Sequence, residues 1–322
     1  MLKYIDVQKR KFILILGAVT IAIVGSFYFG KYTASQANNV AKSADNSSEQ
    51  YNLLAKRIFL DNPNDTKINF APLRQQLNQY FEQNKLSGGN LYFEFLPTGT
   101  SIRISGDEQL VAASLMKVPA AMDMYRANEA GRLNIDNKVA LQQSWLNNEY
   151  GSLYKKGAGY QISPREASKI MLEQSDNTAL AVVGNSIKGK LKDSESSINS
   201  LDLDMTVNGD GSISMNARGY SSIFKCLYFA CYNTKDDSQT MLKQLTNSIF
   251  TSRIPAGVTD KNIKIAHKIG TNFNNNQNDC GIIYYPKNNY LLCVMIPGAE
   301  SEQTDQHIAN ISKIVYDYIN KQ

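Results

Sequence analysis

Residues 159–183 read GYQISPREASKIMLEQSDNTALAVV, and this stretch decides how the rest of the chain is read. Ser163-Pro164-Arg165-Glu166 is a capping box with proline at the first helical position. It predicts a helix from Pro164 to about Gln174. That helix runs into Ser175-Asp176-Asn177, a tripeptide that occurs once in the chain. One reading of the tripeptide is a polar helix-terminal turn, because Ser, Asp and Asn all favour such places. The other is chemical. Ser175 passes a proton to a leaving group, the Asn177 amide holds a substrate carbonyl, and Asp176 accepts from nearby backbone N–H groups.

Upstream lies Ser114-Leu115-Met116-Lys117, followed by the apolar run VPAAMDMYRANEA ending at Gly131. A serine and a lysine three apart on a helix share a face. At a helix start the serine sits in the positive end of the macrodipole. A lysine that loses its charge by desolvation can take the serine's proton. The tetrad alone says little, since Ser152–Lys155 and Ser222–Lys225 match it too, and Ser114 also reads as an ordinary N-cap. Context singles it out: the buried helix that follows would hold a nucleophile rigidly.

Downstream, IKIAH leads into Lys268-Ile269-Gly270-Thr271. Lysine on an apolar strand needs a reason. It is either an edge residue with its charge in water or a source of positive potential for a substrate carboxylate. Gly270 would let a substrate backbone run alongside, and the backbone N–H groups of Thr271 and Ser114 would form an oxyanion hole.

The order Ser-x-x-Lys, Ser-Asp-Asn, Lys-x-Gly-Thr is the combined signature of penicillin-recognising serine enzymes. From about Gly88 to Ile311 the chain resembles the class A β-lactamase-like serine hydrolases. The stretch opening on Gly159 is similar to that family's helix before its Ser-Asp-Asn turn. RIPAGVTDKNIKIAHKIGT and NDCGIIYYPKNNYLLCVM are similar to its closing strands. The resemblance implies that Ser114 is acylated, Lys117 activates it and Ser175 relays a proton. Asn177, Lys268, Gly270 and Thr271 then bind substrate, and no cofactor or metal is needed. A Ser-His-Asp triad is a poor rival: His267 neighbours Lys268 on the opposite face of its strand, and His307 lies in the final helix.

Two departures stand out. The family's deacylating glutamate, in a Glu-x-x-Leu-Asn context after Ser-Asp-Asn, has no counterpart between Thr178 and Met215. The acids there are Asp193, Glu195, Asp202, Asp204 and Asp210, with Glu195 in a polar, serine-rich run. Glu166 precedes Ser175 and is explained by its capping role. Ile269 stands where the family carries a threonine or serine. Slow release of a β-lactam acyl group and weak binding of ordinary penicillins are the expectations.

The remaining pattern predicts an α+β architecture, with a sheet built from both chain ends around a helical insertion. Phe70–Asn84 has helical spacing. Asn90–Leu96 and Ser101–Ser105 read as a hairpin. Ile263–Ile269, Gly281–Tyr285 and Tyr290–Ile296 read as strands, and Ser301–Ile319 as a closing helix. All four cysteines read as small buried apolar residues, with Cys226 and Cys231 on different faces of one helix and Cys280 and Cys293 on neighbouring strands.

At the N-terminus, Phe12–Gly30 is uncharged and long enough to cross a bilayer core. Lys3, Lys9, Arg10 and Lys11 precede it, so residues 1–11 are expected in the cytoplasm and everything after Lys31 outside. A cleaved signal peptide is the alternative. Residues 31–50 read as a flexible stalk and 51–322 as one extracellular domain. Hydrophobic content of 43% and charged content of 20% suit a globular domain, and a net charge of +5 without long basic blocks argues against nucleic acid as partner. The expected partners are the membrane, through residues 12–30, and a β-lactam or a peptidoglycan stem peptide. The functions in play are β-lactamase, D-Ala-D-Ala carboxypeptidase or transpeptidase, and a catalytically silent wall-binding module.

Overall fold

The computed structural model describes residue 53 and residues 68–322, apart from 274 and 287. The expected cytoplasmic segment, anchor and stalk (1–11, 12–30 and 31–50) lie outside the described residues. Among those described, no helix is long and apolar enough to cross a membrane.

The strands in chain order are β1 (Asn90–Phe95), β2 (Thr100–Ile104), β3 (Leu110–Val111), β4 (Val139–Ala140), β5 (Gln161–Ile162), β6 (Met205–Val207), β7 (Ile213–Met215), β8 (Ile265–Asn272), β9 (Asn276–Ile283) and β10 (Tyr290–Pro297). Five of them form one antiparallel sheet in the order β2-β1-β10-β9-β8, so both chain ends contribute to it and β8 is an edge strand. One sheet face follows the period-2 rule. Leu91, Phe93 and Phe95 on β1 stand opposite Val294, Leu292 and Tyr290 on β10, and Ile296 extends the same apolar face. Against them pack the helix Ala71–Gln83, through Leu73, Leu77 and Phe81, and the closing helix Glu302–Ile319, through Ile308, Ile311, Val315 and Ile319.

The helical insertion covers the other face. Its longer helices are Lys117–Glu129, Pro164–Gln174, Asn177–Ile187, Ala217–Phe229 and Lys235–Thr246. The capping box forms as read: Ser163 Oγ accepts from the Glu166 N–H, and the Glu166 carboxylate accepts from the Ser163 N–H.

Two expectations need correction. The strand expected at Gly281 begins at Asn276, because Asn276, Gln277, Asn278 and Asp279 are polar yet fully buried and find partners inside. The cysteines are paired, Cys226 with Cys231 and Cys280 with Cys293. The helix carrying Cys226 stops at Phe229, and Ala230 turns left-handed at φ 51°. That folds Cys231 back until the two Cα atoms are 5.0 Å apart. Cys280 and Cys293 stand directly opposite each other in the β9–β10 register.

Candidate active site

Ser114 lies in a 3₁₀ turn, Ala113–Met116, that feeds into the Lys117 helix. Its hydroxyl caps nothing: the helix begins at Lys117 without a side-chain cap, which removes the N-cap reading. The turn is fastened from β9. Asn276 Nδ2 and Asn278 Nδ2 donate to the Val111 carbonyl at 2.9 and 3.0 Å, and β7 accepts from the Ala112 N–H through the Ile213 carbonyl. Ala113, just before the serine, takes φ 49°, a left-handed conformation that a non-glycine residue adopts only when its surroundings impose it.

Gly270 is required by packing inside the fold. A Cβ there would lie 2.5 Å from the Ala112 carbonyl oxygen and 2.9 Å from Leu115 Cγ. Its missing side chain lets β8 press against the turn that carries Ser114.

Lys117 is buried, and its Nζ lies 2.9 Å from Ser114 Oγ, 2.6 Å from the Ser175 carbonyl, 2.6 Å from Asn177 Oδ1 and 3.2 Å from Ser175 Oγ. Burial lowers its pKa to about 8, against the opposing charges of Asp176 and Glu149. The orientation of the Asn177 amide is set by its other end, whose Nδ2 faces Asn147 Oδ1 and Glu149 Oε2 at 3.3 and 3.4 Å.

Ser175 and Asp176 join two helices. Ser175, left-handed at φ 56°, closes the Pro164 helix, and Asp176 caps the next by accepting from the Ala179 N–H at 2.8 Å. The second Asp176 oxygen accepts from the Leu153 N–H at 2.8 Å. The polar-turn reading of this tripeptide is therefore true of its backbone, while its hydroxyl and amide face the lysines.

Lys268 comes from edge strand β8 but has no charge in water: it is fully buried. Its Nζ donates to Ser175 Oγ at 2.8 Å and to the Ile269 carbonyl at 3.1 Å, under the ring of Phe250. Burial and the neighbouring Lys117 charge push its pKa well below the usual lysine value. The structure thus brings Ser114, Lys117, Ser175, Asn177 and Lys268 into one hydrogen-bonded group. Thr271 follows on β8, two residues beyond Gly270's neighbour Ile269.

Neither histidine joins them. His267 Nδ1 pairs with buried Asp279 at 2.9 Å, and His307 Nδ1 with the Tyr80 hydroxyl at 3.0 Å. Glu195 pairs with Arg132 and caps the Lys192 N–H, interactions that pull its pKa to about 2.

Arg253 escaped the sequence reading. Its buried guanidinium donates to the Gly270 and Asn278 carbonyls, Thr271 Oγ1 and Gln277 Oε1, and its Nε pairs with Asp305 at 2.6 Å. An arginine set among apolar residues in RIPAGV was the available signal.

Comparison with known proteins places this arrangement. The model of the β-lactamase enzyme family matches residues 72–319. Three solved structures have the same fold at low identity. A PBP-A point mutant in acyl-enzyme complex with penicillin G is 21% identical, with TM-score 0.71, covering 80% of this chain and 100% of its own. A β-lactamase from Chitinophaga pinensis DSM 2588 is 19% identical, with TM-score 0.67, covering 76% and 98%. A variant of the TLA-1 extended spectrum β-lactamase is 17% identical, with TM-score 0.68, covering 77% and 98%. No curated protein sequence matches significantly. By the family match, this chain is a serine hydrolase that belongs to the β-lactamase enzyme family.

Proposed function

We propose that the chain is a cell-surface acyl-serine enzyme: Ser114 takes the acyl group of a β-lactam or a stem peptide and gives it up slowly. The observation that carries this is the set of partners around Lys117 Nζ. A neutral amine has two N–H donors and one lone pair. The Ser175 carbonyl and Asn177 Oδ1, both acceptors only, take the two donors at 2.6 Å, leaving the lone pair for the Ser114 hydroxyl at 2.9 Å.

The steps follow from that arrangement. Lys117 takes the Ser114 proton as Oγ attacks the carbonyl carbon, and the C=O electron pair moves to oxygen beneath the Ser114 and Thr271 N–H groups. As the C–N bond breaks, the Ser175 hydroxyl gives its proton to the departing nitrogen. Ser175 is recharged by the Lys117 ammonium 3.2 Å away, so the amine ends neutral. Asn177 and Lys268 hold the substrate, its carbonyl and its carboxylate respectively. Water then hydrolyses the ester and restores Ser114.

Slow release rests on the acids between Thr178 and Met215. Glu195 is bound to Arg132, Asp204 accepts from Gln109, and Asp210 accepts from Ser212. Loss of a positioned general base costs about 10²–10⁴ in rate. PBP-A, similar in fold, has been solved as an acyl-enzyme with penicillin G, which supports β-lactam chemistry in this framework.

A stem-peptide substrate is favoured by β8, an edge strand onto which an extended peptide could add. Anchoring through residues 12–30, with the domain outside, is favoured by the flanking charges and by two disulfides, which persist in oxidising compartments. A chromogenic cephalosporin is expected to give a burst of one equivalent followed by slow turnover. Sustained turnover without a burst would refute slow release, and cleavage of a D-Ala-D-Ala peptide would identify the peptidase activity.

A further inference from the structure

A cavity of about 670 Å³ opens at the start of β8. It lies between the end of the helix Lys235–Thr246, the loop after that helix, and the segment 255–265 that leads into β8. The volume is that of a small-molecule site. Its lining includes neither Ser114, Lys117, Ser175 nor Asn177.

His267 lines the cavity and is only 2% exposed. An ionised carboxylate only accepts, so the His267 Nδ1 that lies 2.9 Å from Asp279 carries a proton. The other Asp279 oxygen accepts from the Ile254 N–H at 2.9 Å, which holds the pair in place. Nε2 is left without a partner among the described residues. A buried polar atom costs free energy until something meets it.

The charges around the cavity are mainly positive. Lys261 Nζ rests on two neutral carbonyls, those of Pro255 and Val258, at 3.4 and 3.0 Å. Lys264 has no ion-pair partner among the described residues. The Asp260 carboxylate is turned to Asn262, whose N–H and Nδ2 both donate to it at 2.9 Å. Phe250, Val258, Ile263 and Ile265 supply apolar wall. Phe250 also faces the catalytic group, since Lys268 Nζ lies 5.7 Å from its ring centroid. One ring belongs to both places.

We propose that this cavity binds a small oxyanion on an apolar body, a carboxylate or a phosphate ester, and that its occupant acts on Lys268 through Phe250. Two ammonium groups and the free imidazole nitrogen receive the oxyanion, and the apolar wall receives the rest. Negative charge there favours the Lys268 ammonium, which burial disfavours, and so strengthens its hold on a substrate carboxylate. This action on Lys268 rests on the acyl-serine reading above; the binding does not.

The test titrates the full-length protein with hexanoate, hexyl phosphate and uncharged hexanamide, read by ligand-observed NMR. One of the anions should bind about tenfold more tightly than hexanamide, and the tighter of the two identifies the acid. Lys264→Glu, an exposed change, should weaken that binding about fivefold, and His267→Gln should weaken it too. Saturation with the anion should speed acylation of Ser114 by penicillin G about fivefold. Phe250→Leu should still bind the anion but lose the acceleration. Equal binding of hexanamide, or binding unaltered in both Lys264→Glu and folded His267→Gln, overturns the site. Slower acylation places the anion in the substrate's own position and also overturns it. Binding with an unchanged acylation rate overturns the link to Lys268. A protein that binds the anion but is never acylated overturns the acyl-serine reading and leaves the site standing.

Discussion

Lys117 and Lys268 converge on a single oxygen: their Nζ atoms lie 3.2 and 2.8 Å from Ser175 Oγ. Both side chains are buried. Two ammonium groups around one hydroxyl repel each other where little water screens them, and burial disfavours each charge separately. The pair therefore sheds protons more easily than surface lysines do. A chain that merely stored two lysines in its core would gain nothing by this, whereas an enzyme gains a free amine beside its nucleophile.

That relationship sets a pH profile. On the proposed route the working form of Lys117 is the neutral amine, and its pKa is lowered to about 8. Below that pH the neutral fraction falls about tenfold per unit, so acylation of Ser114 should rise with pH and level off above about 8. Rates of penicillin acylation from pH 5.5 to 9.5 check this, and a profile that falls over the same range contradicts it. Lys117→Met should abolish the rise and slow acylation by about 10²–10⁴.

Gly151→Ala should damage the site from a distance. Gly151 has φ 86°, and a Cβ there would fall 2.0 Å from Asp176 Oδ2. Either the Leu153–Asp176 hydrogen bond breaks or the Ser175–Asn177 turn shifts. A loss of about 2–4 kcal/mol in stability is expected from the strained φ and the lost buried bond. Thermal unfolding measures it, and a neutral substitution would mean that Asp176 does not hold the turn.

Arg253→Ala should be among the most destabilising single changes near β8. It leaves one Asp305 oxygen and the Gly270 and Asn278 carbonyls without the guanidinium, while Ser252 Oγ still donates to the other Asp305 oxygen. Removing one partner of a fully buried pair costs about 3–5 kcal/mol, and because Asp305 is partly exposed and keeps Ser252 the loss should lie at or below the low end of that range. Denaturant midpoints for Arg253→Ala and Arg253→Lys check the value. Lysine should recover only part of it, since its ammonium cannot reproduce the planar fork.

Ile269→Thr should improve penicillin acylation about tenfold if a hydroxyl beside Lys268 strengthens carboxylate binding. Ile269 is only 6% exposed, so the gain has to exceed the cost of replacing a buried side chain. Acylation rates of the two proteins compare them directly, and no gain would mean that Thr271 and Lys268 suffice.

How far the residues alone led depended on the range of the interactions. The Pro164–Gln174 helix was legible to its boundaries because Ser163 and Glu166 satisfy each other locally. Ser114, Lys117, Ser175, Asn177 and Lys268 were legible as motifs, although their meeting is a tertiary fact. The start of β9 was not, since Asn276 to Asp279 look like a loop until Val111, Arg253 and His267 supply their partners. The short strands β3 to β7 hold two or three residues each, too few to show a period. The Cys226–Cys231 pair was hidden by the helical spacing, which ends one residue before the second cysteine at left-handed Ala230.

The most direct measurement is peptide mapping by mass spectrometry after incubation with penicillin G. The account requires the mass of one penicillin on the peptide that contains Ser114, and its disappearance in Ser114→Ala. An adduct on any other residue, or an unmodified Ser114 peptide in the folded wild-type protein, would contradict it.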